Sequence, residues 1–368
     1  MGGWVYSRKL LAEKYLKALD IGLINRLALF APRRRGKTLY LMNDLAPLSE
    51  KNGYYPVYVN LWDNIESPHL SILEALRNSL KIIKKRGKLS TLLTTPIQKL
   101  SLGNTALRAE IAFSSPAKKA SSNELSEIGN LISTIANYKK AKKLLLMIDE
   151  IQHLTTNKQF EPLIFALRTA ADRNPDKVKI VFTGSSRSGM RQLFNQSNAA
   201  FYNSVERMDF PVMEPEFITF CQNKVKTDHS ITLSTKALTK VFNSLDQSPY
   251  WFIKVLHKVI LHQVSLNKAL SIVRDEIFDV ENYLGIYNSL NPLDIQVLLA
   301  ITTTPIDLFS TERAKSLSQS TGKKIKIPNI QYTVNKLIKK QLITKMGRGE
   351  YVLEKPSLVD YIRGRQNR

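Results

Sequence analysis

Apolar and polar positions along the chain follow two periods, and their order predicts an α/β fold. Helical spacing of apolar residues over 8–18 predicts an opening helix. Short apolar runs predict five strands at 27–30, 57–61, 144–148, 178–183 and 205–210. Helical patterns predict intervening helices at 37–45, which Pro47 closes, and at 67–85 and 158–173. Strands that alternate with helices indicate βαβ units around a mostly parallel sheet.

The pattern changes twice after residue 210. Residues 211–290 are helical throughout, with helices predicted at 235–245 and 250–262. Beyond 291 come three short helices (291–303, 312–319 capped by Thr311, and 329–341) and two short strands (342–345 and 350–353). We therefore predict a core over 1–210, an α-helical lid over 211–290 and a winged helix-turn-helix over 291–368. A basic insertion at about 86–120 is predicted to form a hairpin within the core.

The charge balance adds a class of partner to this picture. Lys and Arg number 54 against 31 Asp and Glu, a net charge of +23. Such an excess favours a polyanion as the partner, with nucleic acid ranked before an acidic membrane surface. The alternative is a basic surface that only keeps the protein soluble. Cys221 is the single cysteine, which excludes an intrachain disulfide and suits the reducing cytoplasm. No run reaches the roughly 20 apolar residues of a membrane span, so we expect a soluble cytoplasmic protein without a membrane partner.

A phosphate-binding loop is the strongest chemical signal. Ala31-Pro-Arg-Arg-Arg-Gly-Lys-Thr38 fits the Walker A pattern, with alanine at its first small position, between a predicted strand and a predicted helix. Loop N–H groups and the helix N-terminus would cradle the phosphates. Lys37 would reach the β- and γ-phosphates, and the Thr38 hydroxyl would bind Mg²⁺. The sequence thus predicts ATP and Mg²⁺ as cofactors. The predicted nucleotide contacts of this loop are Ala31, Pro32, Arg33, Arg34, Arg35, Gly36, Lys37, Thr38 and Leu39.

Two further strand ends complete the predicted catalytic set. Leu144-Leu-Leu-Met-Ile-Asp149-Glu150 has the Walker B arrangement, in which Asp149 lies near the metal and Glu150 deprotonates the attacking water. The pair of carboxylates favours hydrolysis over a purely structural nucleotide. After the fourth strand, Thr183 is predicted to contact the water or the phosphate, and Arg187 to counter charge in the transition state. The alternative there is an ordinary β-turn with a surface arginine.

The segments 31–38, 144–154, 181–187 and 247–256 together resemble the archaeal-type P-loop ATPases of the STAND/AAA+ class, close to the origin-recognition initiators. The resemblance covers about residues 8–265. It implies an additional-strand catalytic core, a helical lid and a C-terminal winged helix. It also implies that Pro249 lies in a nucleotide-sensing turn, although the usual glycine is missing from 246–249. Where the family often has Tyr-Gly-Arg, this chain has Tyr-Asn-Ser at 202–204. The arginine that would act on a neighbouring subunit is therefore absent there, and Arg191 and Arg207 are only candidates to replace it.

The C-terminal helix–hairpin pattern predicts double-stranded DNA as a partner. One face of the predicted helix 329–341 is polar and basic, and a basic wing follows it. The predicted DNA contacts are Lys323, Lys324, Lys326, Gln331, Asn335, Lys336, Lys339 and Arg348. A winged helix used only for protein contacts is the alternative.

Three functions remain open from the sequence. The first is a DNA-coupled ATPase. The second is a signalling or defence switch of the STAND type that acts through a protein partner or as a homo-oligomer. The third is a binding module with a structural nucleotide, against which the two carboxylates argue. The combination of Walker motifs, a sensor strand and a helical lid argues against a kinase that transfers phosphate to another substrate.

Overall fold

The computed structural model describes residues 4–22, 24–88, 117–138, 143–303, 307–347 and 349–366. The chain divides into two compact units, Met1–Val212 and Met213–Arg368. The predicted division into three domains stays a prediction.

A five-stranded parallel sheet forms the centre of the first unit. Its strands are β1 (Arg26–Phe30), β2 (Tyr54–Asn60), β3 (Lys143–Asp149), β4 (Val178–Gly184) and β5 (Glu206–Asp209). They lie in the order β2-β3-β4-β1-β5, and each neighbouring pair is parallel. β1 and β4 are buried over their full length, which explains their near-continuous apolar runs. The predicted α/β fold with a parallel P-loop-type sheet is confirmed.

Helices cover both faces of this sheet. The helices are α1 (Lys9–Asp20), α2 (Lys37–Tyr40), α3 (Ala46–Lys51), α4 (Pro68–Lys88), α5 (Ser122–Ala136), α6 (Glu161–Asp172) and α7 (Arg187–Phe194). Alternate residues of β3 point to opposite faces, so that Leu146 joins the apolar core of one face and Leu145 that of the other. Helices α4, α5 and α6 contribute to the first core, whereas α1 and the segment from α2 to α3 contribute to the second.

Pro47 does not close the helix after the P-loop, contrary to our prediction. A π-helical segment, Leu41–Leu45, joins α2 to α3, and Pro47 lies in the first turn of α3. Proline is tolerated there because the first helical N–H groups have no intrahelical partner. Two elements were also missed. α5 begins with a capping box between Ser121 and Glu124, and α7 begins at Arg187, where the sequence analysis placed no helix and gave a β-turn as the alternative.

The basic insertion begins later than predicted. Residues 86–88 continue α4 rather than starting a hairpin. Residues 89–116, where the predicted hairpin falls, lie outside the described residues.

The second unit is mainly helical. Its helices are α8 (Glu216–His229), α9 (Thr235–Ser244), α10 (Pro249–His262), α11 (Leu266–Val280), α12 (Tyr283–Asn288), α13 (Pro292–Thr303), α14 (Thr311–Thr321), α15 (Ile327–Lys339) and α16 (Ser357–Gln366). The strands β6 (Ile343–Lys345) and β7 (Tyr351–Leu353) pair antiparallel between α15 and α16. Three helices and a hairpin in this order agree with a winged helix-turn-helix. Ser310 rather than the predicted Thr311 caps α14, because its side chain accepts from the N–H of Arg313 at 3.1 Å.

In the described part of the chain, no helix combines the length and the apolar character that crossing a membrane requires.

Candidate nucleotide site

The P-loop connects the carboxyl end of β1 to the start of α2. Gly36 adopts a left-handed backbone with φ of 87°, a conformation that glycine enters without steric cost. Lys37, 5% exposed, begins the helix, and its Nζ donates to the carbonyl oxygens of Ala31 at 2.6 Å and Pro32 at 3.0 Å. Burial lowers the pKa of Lys37, and the carboxylates of Glu150 and Asp149 oppose that shift. The loop thus holds a buried cation at the point where the sequence predicts phosphate.

The other loop residues lie around this lysine in different environments. Ala31 is buried, and its N–H donates to the carbonyl of Gly184 on the neighbouring strand. The Arg33 guanidinium lies 4.6 Å from the centre of the Trp62 ring, a cation–π arrangement. Arg34 has a left-handed backbone, with φ of 63°. Of the remaining predicted contacts, Pro32 and Arg35 are half-buried and Leu39 is exposed.

Asp149 is the centre of a network of hydroxyl donors. Its carboxylate is 1% exposed and accepts from Thr38 Oγ1 at 2.5 Å and from Tyr58 OH at 3.0 Å. Thr183 Oγ1 donates to the other carboxylate oxygen, which also accepts the backbone N–H of Glu150 at 3.1 Å. Burial, followed by the nearby Asp149 charge, raises the pKa of Tyr58, which keeps its hydroxyl a donor. The network joins the ends of β2, β3 and β4 to the P-loop helix.

This donor set fits a magnesium ion. Mg²⁺ prefers oxygen ligands and is usually held by one or two protein groups together with phosphates and water. The Thr38 hydroxyl and the Asp149 carboxylate both offer oxygen ligands and are in direct contact, so one ion can bind both after a small shift of either side chain. The structure brings the two predicted metal ligands together.

Glu150 follows Asp149 at the carboxyl end of β3. Its backbone is left-handed, with φ of 58°, and its carboxylate accepts from the Ser185 hydroxyl at 2.7 Å. The two predicted carboxylates therefore occupy separate environments. Asp149 is surrounded by hydroxyl donors, whereas Glu150 contacts the loop that follows β4.

Thr183 and Arg187 also come to this edge of the sheet, with contacts that the sequence did not indicate. Thr183 is fully buried and bonded to Asp149, so in this structure its hydroxyl orients the carboxylate rather than pointing to a free water position. Arg187 lies over the Phe30 ring at 4.2 Å, and its Nη1 is 3.9 Å from Asp209. Arg187 is the first residue of α7, not part of a β-turn.

Three residues of the site were not predicted from the sequence. Tyr58 lies in β2, where the residue pattern predicts a strand but no role in the site. Gln152 and Ser185 contact Glu150, and both lie within the segments that carry the family resemblance. A polar residue two positions after a Walker B glutamate was the available signal for Gln152.

In the second unit, Pro249 is buried at the first turn of α10, where Ser248 caps the helix. Asp246 and Gln247 both have left-handed backbones, with φ of 52° and 54°. The turn therefore adopts glycine-like conformations without the glycine that the resemblance led us to look for.

The predicted DNA contacts divide into two groups. One group is exposed and consists of Lys323, Lys324, Lys326, Gln331, Asn335 and Lys339. Lys336 instead forms an ion pair at 2.5 Å with Asp294, whose side chain is fully buried. Arg348 lies outside the described residues.

Comparison with known proteins identifies the fold. No protein-family model matches the sequence, and no curated protein does. Among solved structures, the Walker-type ATPase of Pyrococcus abyssi is similar with a TM-score of 0.64 at 15% identity, over 98% of this chain and 96% of that one. The ORC2 protein of Aeropyrum pernix, in its ADP form, is similar with a TM-score of 0.56 at 14% identity, over 98% of this chain and 91% of that one. The resemblance inferred from the motifs is thus confirmed as one of fold, and over nearly its whole length the chain has the fold of archaeal Walker-type P-loop ATPases.

Proposed function

We propose that the chain binds ATP with Mg²⁺, hydrolyses it and couples its nucleotide state to the binding of double-stranded DNA. The observation that carries the first part is the meeting of Lys37, Thr38, Asp149 and Glu150 at one edge of the sheet, with the Thr38 hydroxyl 2.5 Å from Asp149. Both similar structures fit this activity, since one is a Walker-type ATPase and the other is a protein in its ADP form.

In the proposed reaction, the oxygen of a water molecule attacks the γ-phosphorus of ATP. The bond from that phosphorus to the β–γ bridging oxygen breaks, giving ADP and inorganic phosphate. The proton of the water passes to the Glu150 carboxylate, which then releases it to solvent. Lys37 places a positive charge at the phosphates, and Arg187 adds a second one at the same edge. Thr38 and Asp149 would hold the magnesium ion, which would neutralise charge on the phosphate oxygens.

The DNA part of the proposal rests on the second unit. Lys323, Lys324 and Lys326 lead into α15, whose exposed face carries Gln331, Asn335 and Lys339. Amide side chains can bond base edges in the major groove, while lysines neutralise phosphates. The net charge of +23 supports the same class of partner. We retain the division into core (1–210), lid (211–290) and winged helix (291–368) as part of this proposal.

The test is steady-state ATP hydrolysis, with and without duplex DNA, at low and moderate salt. Lys37→Ala and Glu150→Gln should each lose roughly 10²-fold or more in turnover. Glu150→Gln should still bind ATP, because its carboxylate is not needed for binding. The matched control is Lys51→Ala, an exposed lysine at the end of α3, which should hydrolyse ATP like the wild type.

Two outcomes separate the candidate functions. Stimulation of turnover by DNA, with salt-dependent DNA binding, supports the DNA-coupled ATPase. Hydrolysis that depends on Lys37 but not on DNA, together with an absence of salt-dependent DNA binding, contradicts the coupling and favours a switch that acts through a protein partner. Unchanged turnover in Glu150→Gln contradicts the hydrolytic assignment itself.

A further inference from the structure

The Glu150 carboxylate is tied through one of its two oxygens. Ser185 Oγ donates to Oε2 at 2.7 Å, and the side-chain amide of Gln152 donates to the same oxygen. The amide nitrogen also lies 3.1 Å from Ser185 Oγ, and the amide oxygen accepts the backbone N–H of Ser185 at 3.3 Å. Both protons of the amide and its oxygen are therefore used, and the three residues form a closed ring of hydrogen bonds.

The fold is shaped around Gln152. The residue lies in the 3-10 helix Ile151–Thr155 directly after Glu150 and is only 7% exposed. Gly189 of α7 packs against it so closely that a Cβ there would lie 2.6 Å from the Cβ of Gln152. Any side chain at position 189 would push Gln152 from its place. The amide is thus held by packing as well as by hydrogen bonds.

The second oxygen of Glu150, Oε1, accepts no hydrogen bond from the residues that the structure describes. A glutamate side chain with one tethered oxygen has lost most of its rotamer freedom before substrate arrives. The left-handed backbone of Glu150 is a strained conformation for a non-glycine residue, of the kind that concentrates at active sites. The tether and the backbone together leave Oε1 to accept a proton from water.

We propose that Gln152 and Ser185 are positioning residues for hydrolysis, which fix Oε2 of Glu150 so that Oε1 faces the attacking water. This inference rests on the proposed function, because it assumes that Glu150 is the general base. It adds two residues, one from the segment after β3 and one from the loop after β4, to the machinery that sets the rate. Neither residue is expected to contact the nucleotide.

A matched pair of substitutions isolates the hydroxyl of Ser185. Ser185→Thr keeps the hydroxyl, whereas Ser185→Val has the same shape without it. The valine variant should lose roughly 10- to 100-fold in kcat, because a small misplacement of a catalytic group costs that much. The KM for ATP and the Kd for ADP should change less than about twofold, since binding energy common to substrate and transition state is untouched. The threonine variant should retain most of the hydrolysis.

A double-mutant comparison separates positioning from a structural effect. In a Glu150→Gln background the carboxylate is gone, so the threonine and valine variants should show the same residual rate. A loss in that background as large as in the wild type would overturn the proposal. Equal kcat for Ser185→Thr and Ser185→Val, with Glu150 still required, would overturn it as well.

The failure of the proposed function gives a different result. If the wild type hydrolyses no ATP, or if Glu150→Gln hydrolyses it like the wild type, the assignment of Glu150 is wrong irrespective of Ser185. Thermal unfolding of each variant checks that it is folded. If Ser185→Val does not fold, Gln152→Met is measured instead, because it keeps the length of the side chain but removes the amide. The proposal then predicts a lower kcat with a nearly unchanged KM for ATP, and an unchanged kcat would overturn it.

Discussion

Lys336 was predicted to contact DNA, but its ion pair indicates a role in stability. The Asp294 carboxylate is fully buried and accepts from Lys336 Nζ at 2.5 Å and from the N–H of Asn291 at 2.8 Å. Lys336→Ala would leave that carboxylate buried without its cation. Removal of one partner from a fully buried pair costs about 3–5 kcal/mol. The Lys336 side chain is 29% exposed, so water reaches the pair and we expect about 2–3 kcal/mol.

The loss should appear as a lower unfolding temperature of the second unit. For a unit of this size, each kcal/mol shifts Tm by roughly 2–4 °C, so the expected shift is about 4–12 °C. The full-length chain is heated in the presence of a thiol reagent, because Cys221 is fully buried in α8 and reacts only when this unit opens. Its labelling therefore reports on the second unit specifically.

Lys339→Ala is the matched control, since Lys339 is an exposed lysine one turn along the same helix. It should leave the unfolding temperature nearly unchanged. It should weaken DNA binding, and the slope of the logarithm of the binding constant against the logarithm of the salt concentration should fall in magnitude by about one. Lys336→Met combined with Asp294→Asn removes both charges and should recover much of the lost stability. If Lys336→Ala unfolds at the same temperature as Lys339→Ala, the reasoning about the buried pair is wrong.

The remaining predictions concern three residues. Burial raises the pKa of Cys221 from its ordinary value of 9.0 to about 12. Between these values only the unfolded chain ionises the thiol, so the free energy of unfolding of the second unit should fall with rising pH, and less steeply in Cys221→Ala; parallel curves in urea melts would contradict this. Tyr58→Phe removes one donor to Asp149, and calorimetry should show Mg²⁺-dependent ATP binding weakened roughly 10-fold, whereas an unchanged Mg²⁺ requirement would exclude this role. Gly189→Ala forces Gln152 to move, and we expect a loss of about 1–3 kcal/mol in stability together with slower hydrolysis; wild-type values for both would contradict the close packing.

Much of the core could be predicted because its signals are local. A buried parallel strand is apolar over nearly its whole length, so β1, β3 and β4 were recognisable within a residue or two. The residues of the P-loop and the two carboxylates follow from spacing alone. The helix α5, which begins directly after the predicted insertion at about 86–120, was missed although Ser121 and Glu124 form a capping box.

The contacts within the site could not be predicted, because they depend on which strand ends meet. The order β2-β3-β4-β1-β5 brings Tyr58 and Thr183, from strands on either side of β3, to the same carboxylate. Nothing local in the sequence pairs them. The ion pair of Lys336 could not be predicted for a similar reason, since its partner Asp294 is 42 residues away in the chain. From the sequence alone, a lysine on a helix face is predicted to contact solvent or phosphate, because a buried acid from a distant part of the chain cannot be foreseen beneath it.

The π-helical segment Leu41–Leu45 has a consequence for how this site tolerates changes of chain length. A π turn is an α-helix that carries one additional residue, so the side chains after it are rotated by about 100° relative to an uninterrupted helix. Deleting one residue within this segment would convert it to regular α-helix without opening the helix. Ala46 and Ser49 would keep their buried positions, whereas the same deletion in α6 would turn its apolar face to solvent. The stretch after the P-loop is thus a place where a single-residue deletion can be absorbed close to the phosphate site.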